Sequence, residues 1–268
     1  MSLVRQLLAH LNKLRGEHGV PPVNYANTGV ANFRANYMLK ENLFSHYDRE
    51  GVVPNFYLTR AGIYYGAEES IGFSSTSSPY FRDGVTALHH AKKLLEDMVY
   101  NDEGSGWGHR DSLLDPCHNY ADVSLAWDSR RLFLDIIMLS AWVKWDIPPR
   151  VEDNVFKMRG EVMTMSPEQV LVLRYVPSPS LTSRGYYDLG EPVAGIAPRG
   201  YRFLGLPTVI ARRWEMGRHI DVEFDLPVGS GVYTVLVLGK DPKGISWEPK
   251  GDPRRVGVCK LLTYTFKA

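Results

Sequence analysis

Two histidines sit in short polar stretches where imidazole chemistry is plausible: His46 in "FSHYDREGVVP" (Phe44–Pro54) and His109 in "WGHRDSLLDP" (Trp107–Pro116). Each stretch follows an apolar helical pattern. Between them, "YYGAEESIG" sets Glu68 and Glu69 between Gly66 and Gly72. Two imidazoles and a carboxylate are a donor set for a divalent cation, zinc above all. A neutral imidazole binds zinc through one ring nitrogen, and a carboxylate with water completes an open tetrahedral site. The spacing is unlike that of a dedicated zinc helix, where two His lie one turn apart with Glu between. Simpler roles compete: a His past a helix end interacts with the helix dipole, and a Glu in a Gly-rich loop is merely solvated.

Other reactive types carry less. His89 and His90 are adjacent in a helical pattern and point in different directions, so they cannot share an ion. His10, His18, His118 and His219 have no acidic or imidazole company at useful spacing. Ser45 and Ser70 flank the proposed site residues, but neither sits in a Gly-x-Ser-x-Gly elbow. Cys117 and Cys259 are the only cysteines, which excludes a thiolate metal cluster. Their pairing stays open, with packing as small hydrophobes the commoner fate of lone thiols.

The elements that must position these residues read as helices first and strands later. Leu3, Leu7, Leu8, Leu11 and Leu14 recur at helical spacing, and "GEHGVPP" closes that helix. A second amphipathic pattern runs from Thr28 to about Asn42, which leaves His46 just past its end. "GIYYGAEESIGFSSTSSP" reads as a Gly- and Ser-rich passage before a third helix starting near Pro79. "DSLLDP" reads as a turn, and "ADVSLAWDSRRLFLDIIMLSAW" as an antiparallel hairpin around "DSRR". "KWDIPPRVEDN" marks a linker by its proline pair and flanking charges. Beyond it lie short β-rich runs separated by Gly and Pro turns. The expectation is an α+β protein of two domains, residues 1–147 with helices on a sheet and residues 152–268 as a small all-β sandwich.

Composition excludes several classes. The 268 residues are 44% hydrophobic and 23% charged, the profile of a folded globular chain. Lys+Arg 31 against Asp+Glu 30 leaves a formal charge of +1, too little basic excess for a nucleic-acid partner. No run approaches the roughly 18 apolar residues of a membrane span. The start "MSLVRQLLAHLNKLRGEHG" is charged throughout and reads as a structural helix with no secretion signal. A targeting segment trimmed ahead of it would leave the same beginning.

Five motifs in order, "LNKLRGEHGVPPV", "FSHYDREGVVP", "GAEESIG", "GHRDSLLDP" and "ADVSLAW", resemble the CAP superfamily (cysteine-rich secretory, antigen 5 and pathogenesis-related proteins). The resemblance covers roughly residues 1–145 and is closest to microbial members, which carry His-Arg at the second histidine. It implies an α-β-α sandwich whose two histidines converge in an open cavity. His46 matches the first family His, His109 the second, and Glu69 the acid of the Gly-Glu-Asn-Ile motif, with Glu68 its neighbour. A further acid near the end of the third helix has no clean match among Glu96, Asp97, Asp102 and Glu103. The resemblance also implies a secreted or surface-attached protein.

Three functions follow as expectations. The first is an extracellular binding module whose His46, Glu69 and His109 cavity takes a divalent cation weakly, with a lipid or peptide as further ligand. The second is a hydrolase in which Glu69 is the general base and a His-bound metal activates water. The third is an adhesive surface protein acting through the C-terminal β domain, where "RGYYDLG" and "PRGYRF" set aromatics in Gly-bounded loops.

Overall fold

The N-terminal leucines form α1 (Leu3–Glu17), whose start is capped by the Ser2 side chain accepting from the Arg5 N–H at 3.3 Å. In the computed structural model, which describes residues 2–227, 229–241 and 247–268, the first half continues with β1 (Asn24–Tyr25), α2 (Val30–Glu41) and α3 (Pro54–Arg60). Then come β2 (Gly66–Ser75), α4 (Gly84–Tyr100), α5 (Gly108–Leu113), β3 (Tyr120–Trp127) and β4 (Arg131–Ser140). The strands order as β1-β3-β4-β2, with β1 parallel to β3 and the other pairs antiparallel.

Alternation along β4 builds two cores from one strand, because successive side chains point to opposite faces. Leu132, Leu134, Ile136 and Met138 join Leu7 and Leu11 of α1 and Leu95 and Val99 of α4. Ile137 and Leu139 face the other way, against Ala31 of α2 and Leu58 of α3. The result is an α-β-α arrangement around the sheet.

Three local expectations are corrected, and one helix is added. β2, expected as a Gly- and Ser-rich passage, is a ten-residue strand that pairs with β4 from Gly66↔Ser140 to Ser75↔Arg131. Its own composition is weakly β-forming, and the apolar neighbour strand decides its state. α5 replaces an expected turn. α4 begins at Gly84, where the Asp83 carboxylate accepts from the Thr86 N–H, rather than near Pro79. α3 is too short for a periodic signal and is announced only by Pro54 at its first position.

The second half is β throughout: β5 (Val143–Glu152), β6 (Val155–Val162), β7 (Ser166–Tyr175), β8 (Glu191–Ala197), β9 (Thr208–Ile210), β10 (Arg213–Met216), β11 (His219–Asp225), β12 (Val232–Lys240) and β13 (Val258–Lys267). Two sheets, β10-β11-β6-β5 and β13-β12-β7-β8-β9, enclose Phe156, Met158, Val170, Val172, Phe224, Val235 and Val237. The chain is therefore of the α+β class. The proline pair expected in a linker lies inside β5. Pro148 and Pro149 are tolerated there because β5 is an edge strand and its register with β6 shifts between Ile147 and Arg150.

The halves are clamped together. A disulfide joins Cys117 to Cys259 across 142 residues of sequence, the outcome the composition made less expected. The Asp111 carboxylate of α5 accepts from the backbone N–H groups of Lys250, Gly251 and Asp252 at 2.8–3.1 Å. Tyr47 and Val53 share a core cluster with Leu173, Leu181, Leu189 and Leu236. β13 reaches β2 so closely that a Cβ on Gly66 would lie 1.8 Å from the Lys260 carbonyl oxygen, so glycine is required there.

Candidate functional site

α2 ends at Asn42, whose left-handed backbone (φ 49°) turns the chain into the His46 loop. The Nδ1 atom of His46 lies 2.7 Å from Glu69 Oε2. Glu69 stands on β2, and its Oε1 accepts from Arg34 Nε at 2.9 Å. Arg34, on α2, also donates from Nη2 to the Ser45 carbonyl at 2.7 Å, which ties the His46 loop to the helix. Both side chains of this Arg34–Glu69 pair are fully buried. Burial pushes the Glu69 carboxyl up, but the Arg34 charge and then His46 outweigh it and hold the group at about 2. Both carboxylate oxygens are thus engaged.

His109 occupies the first turn of α5, entered through Trp107 in a left-handed conformation (φ 66°). Its Nδ1 lies 2.7 Å from Asp102 Oδ1, which also accepts from Ser105 Oγ at 2.5 Å. Asp102 Oδ2 takes the Arg110 N–H at 3.0 Å. Burial raises the Asp102 carboxyl, yet the His109, Ser105 and Arg110 hydrogen bonds keep it below its ordinary value. Of the four acids left open by the sequence, Asp102 is therefore the one joined to the second histidine. Glu96 pairs instead with His10 at 2.9 Å, Asp97 accepts from Asn101 at 2.9 Å, and Glu103 is exposed. His10 thus does have acidic company, as does His118, whose Nε2 is 3.7 Å from Glu68 Oε2.

Glu68 serves the junction between the halves. It accepts from Lys260 Nζ at 2.6 Å and Arg255 Nη2 at 2.8 Å, and the same Arg255 nitrogen reaches Asp115 Oδ2 at 2.9 Å. Burial opposes its ionisation, but Lys260 and Arg255 hold the carboxyl well below the usual range.

His46, His109, Glu68 and Glu69 line one cavity of about 240 Å³. Gly185, Tyr186, Tyr187, Arg255 and Lys260, all from the β half, complete its wall. A larger cleft of about 870 Å³ adjoins it between the halves. It is lined by neither His46 nor His109, so the smaller cavity is the better candidate for their chemistry. Sequence reasoning missed Arg34, Arg255 and Lys260. Their partners are far along the chain, and no local pattern signals such pairs. It singled out "RGYYDLG" as an aromatic loop without linking it to the histidines.

With each Nδ1 turned to a buried carboxylate, Nε2 is the nitrogen left for a ligand. That orientation is the one metal-binding imidazoles adopt, the carboxylate fixing tautomer and ring direction. Among the described residues no group of three or more His, Cys, Asp or Glu side chains is arranged to hold a metal. Arg110 lies outside this set: its Nη1 donates to the Val99 carbonyl at 2.8 Å and lies 3.0 Å from His18 Nε2.

No family model matches the chain, and no curated protein matches it. Among solved structures, it is similar to the CAP domain of Enterococcal PrgA, at 18% identity and a TM-score of 0.37, over 51% of this chain and 61% of that one. It is also similar to a cysteine-rich secretory protein from Staphylococcus aureus, at 17% identity and a TM-score of 0.33, over 52% of this chain and 38% of that one.

Proposed function

We propose that this chain is a secreted or surface-attached CAP-superfamily protein whose cavity binds a divalent cation, zinc foremost, through Nε2 of His46 and His109. The observation that carries the reading is the matched treatment of the two imidazoles: each gives Nδ1 to a buried carboxylate at 2.7 Å, and both line the same cavity. The order of the five motifs supports the family, and the Cys117–Cys259 bridge supports an oxidising compartment. No helix among the described residues is long and apolar enough to cross a membrane.

Bound between two nitrogens, a cation would keep exchangeable positions for water or ligand. Glu69 and Asp102 act as positioning residues that hold the rings. The hydrolase reading loses its base, because both Glu69 oxygens are committed to Arg34 and His46. Residues 1–147 and 152–268 act as two domains joined through β5, the β domain supplying a fixed part of the cavity wall. A zinc-soaked crystal with anomalous data at the zinc edge tests the site. A peak shared by His46 and His109 is expected, and a peak on neither histidine would reject it.

A further inference from the structure

Among the described residues, three buried side-chain hydroxyls have no hydrogen-bond partner: Ser70, Ser112 and Tyr187. All three line the cavity of His46 and His109. They come from separate elements, Ser70 from β2, Ser112 from α5 and Tyr187 from the 176–190 connection of the β half. Ser70 and Ser112 are 0% and 5% exposed, so neither is satisfied by bulk solvent. Arg255 Nε, on the same wall, is also buried and unpartnered. Buried polar groups in native proteins are hydrogen-bonded as a rule, so orphans gathered from three elements into one cavity call for a common acceptor.

We propose that this cavity is a site for a small oxyanion, a carboxylate or phosphate group, which receives hydrogen bonds from Ser70, Ser112, Tyr187 and Arg255 beside the two histidines. The inference builds on the cation reading, since an oxyanion is a natural occupant of the positions the cation keeps open. Guanidinium and ammonium groups only donate, and Arg255 and Lys260 both border the cavity. Glu68, the acid beside them, is already neutralised by those two cations. Burial, then the Glu69 and Glu68 charges, push the Tyr187 hydroxyl well above its usual range, so it remains a neutral donor. Its ring lies 5.2 Å from that of His46, close enough for one ligand to touch both. The volume of about 240 Å³ is roughly eight times the ~30 Å³ share of one water, room for a cation and a small acid. The aromatic loop "RGYYDLG" thereby gains a role, as the β half's contribution to ligand selection.

The test uses the full chain with calorimetry. Acetate is titrated into zinc-loaded protein, and inorganic phosphate into chelator-treated protein, since zinc phosphate precipitates. One oxyanion site is expected in at least one of the two forms. Tyr187→Phe and Ser112→Ala should each weaken it about fivefold, the effect of one hydrogen bond near 1 kcal/mol. Zinc affinity should stay within about twofold, and Ser70→Ala serves as the second variant if Ser112→Ala melts early. Hydroxyl-dependent phosphate binding without any zinc binding would reject the cation reading and keep this one. Oxyanion binding that ignores all three substitutions, or none on folded protein, overturns the proposal.

Discussion

Replacing Glu69 by Gln removes the one charge that compensates Arg34 while keeping the side chain's size. Arg34 and Glu69 are both fully buried, Arg34 donates to Glu69 from Nε and Nη2, and its buried Nη1 has no hydrogen-bond partner. The Glu69 carboxyl moves from an ordinary 4.5 to about 2 in the folded chain. At about 1.4 kcal/mol per pH unit that amounts to about 3 kcal/mol of stability. The cost of truncating a buried ion pair is of the same order, about 3–5 kcal/mol. Because the folded value is depressed, this contribution is fully present above about pH 4.5 and is lost as pH falls towards 2. Asp135 is the neighbouring carboxyl that burial and then Glu69 hold well above the ordinary range. In the variant, Asp135 is free to ionise and partly replace the lost charge, so Glu69→Gln with Asp135→Asn should be worse than Glu69→Gln alone. Urea unfolding at pH 7, repeated from about pH 5 downwards, reads both effects. A loss below about 1 kcal/mol at pH 7, or an acid transition unchanged in Glu69→Gln, would refute the reasoning.

Three further outcomes test the framework. Cys117→Ser with Cys259→Ser should lower the thermal midpoint, with an upper bound of about 5 kcal/mol for a closed loop of 142 residues in the chain-entropy model, and an unchanged midpoint would contradict the clamp. Arg110→Ala should reduce stability by about 1–3 kcal/mol through its lost bond to the Val99 carbonyl while leaving zinc affinity intact, and calorimetry beside a thermal melt separates the two. Asp111→Ala should expose the 250–255 segment to limited proteolysis, since three backbone N–H groups lose their acceptor; a digestion pattern matching the parent chain would count against it.

What the sequence revealed follows the range over which each signal acts. The leucines of α1 and the β3–β4 hairpin around Asp128–Arg130 are local patterns, and both are legible because periodicity of 3.6 or 2 is written in neighbouring residues. The meeting of His46 with Glu69 came from motif order, not spacing. Asp102 was one of four candidates until folding bent the chain so that its carboxylate met His109. β2 was unreadable because its strand state comes from β4, which is distant in sequence across the whole register from Gly66↔Ser140 to Ser75↔Arg131. The β half's share of the cavity was hidden for the same reason: Tyr187, Arg255 and Lys260 reach the histidines only through tertiary packing. The bridge between Cys117 and Cys259 likewise depends on β13 returning to the first half, which no spacing of two cysteines encodes.

Zinc calorimetry on the full chain asks whether His46 and His109 act as one cation site. A single saturable site is expected near neutral pH, abolished by His46→Ala and equally by His109→Ala. Zinc binding that survives both substitutions would contradict it.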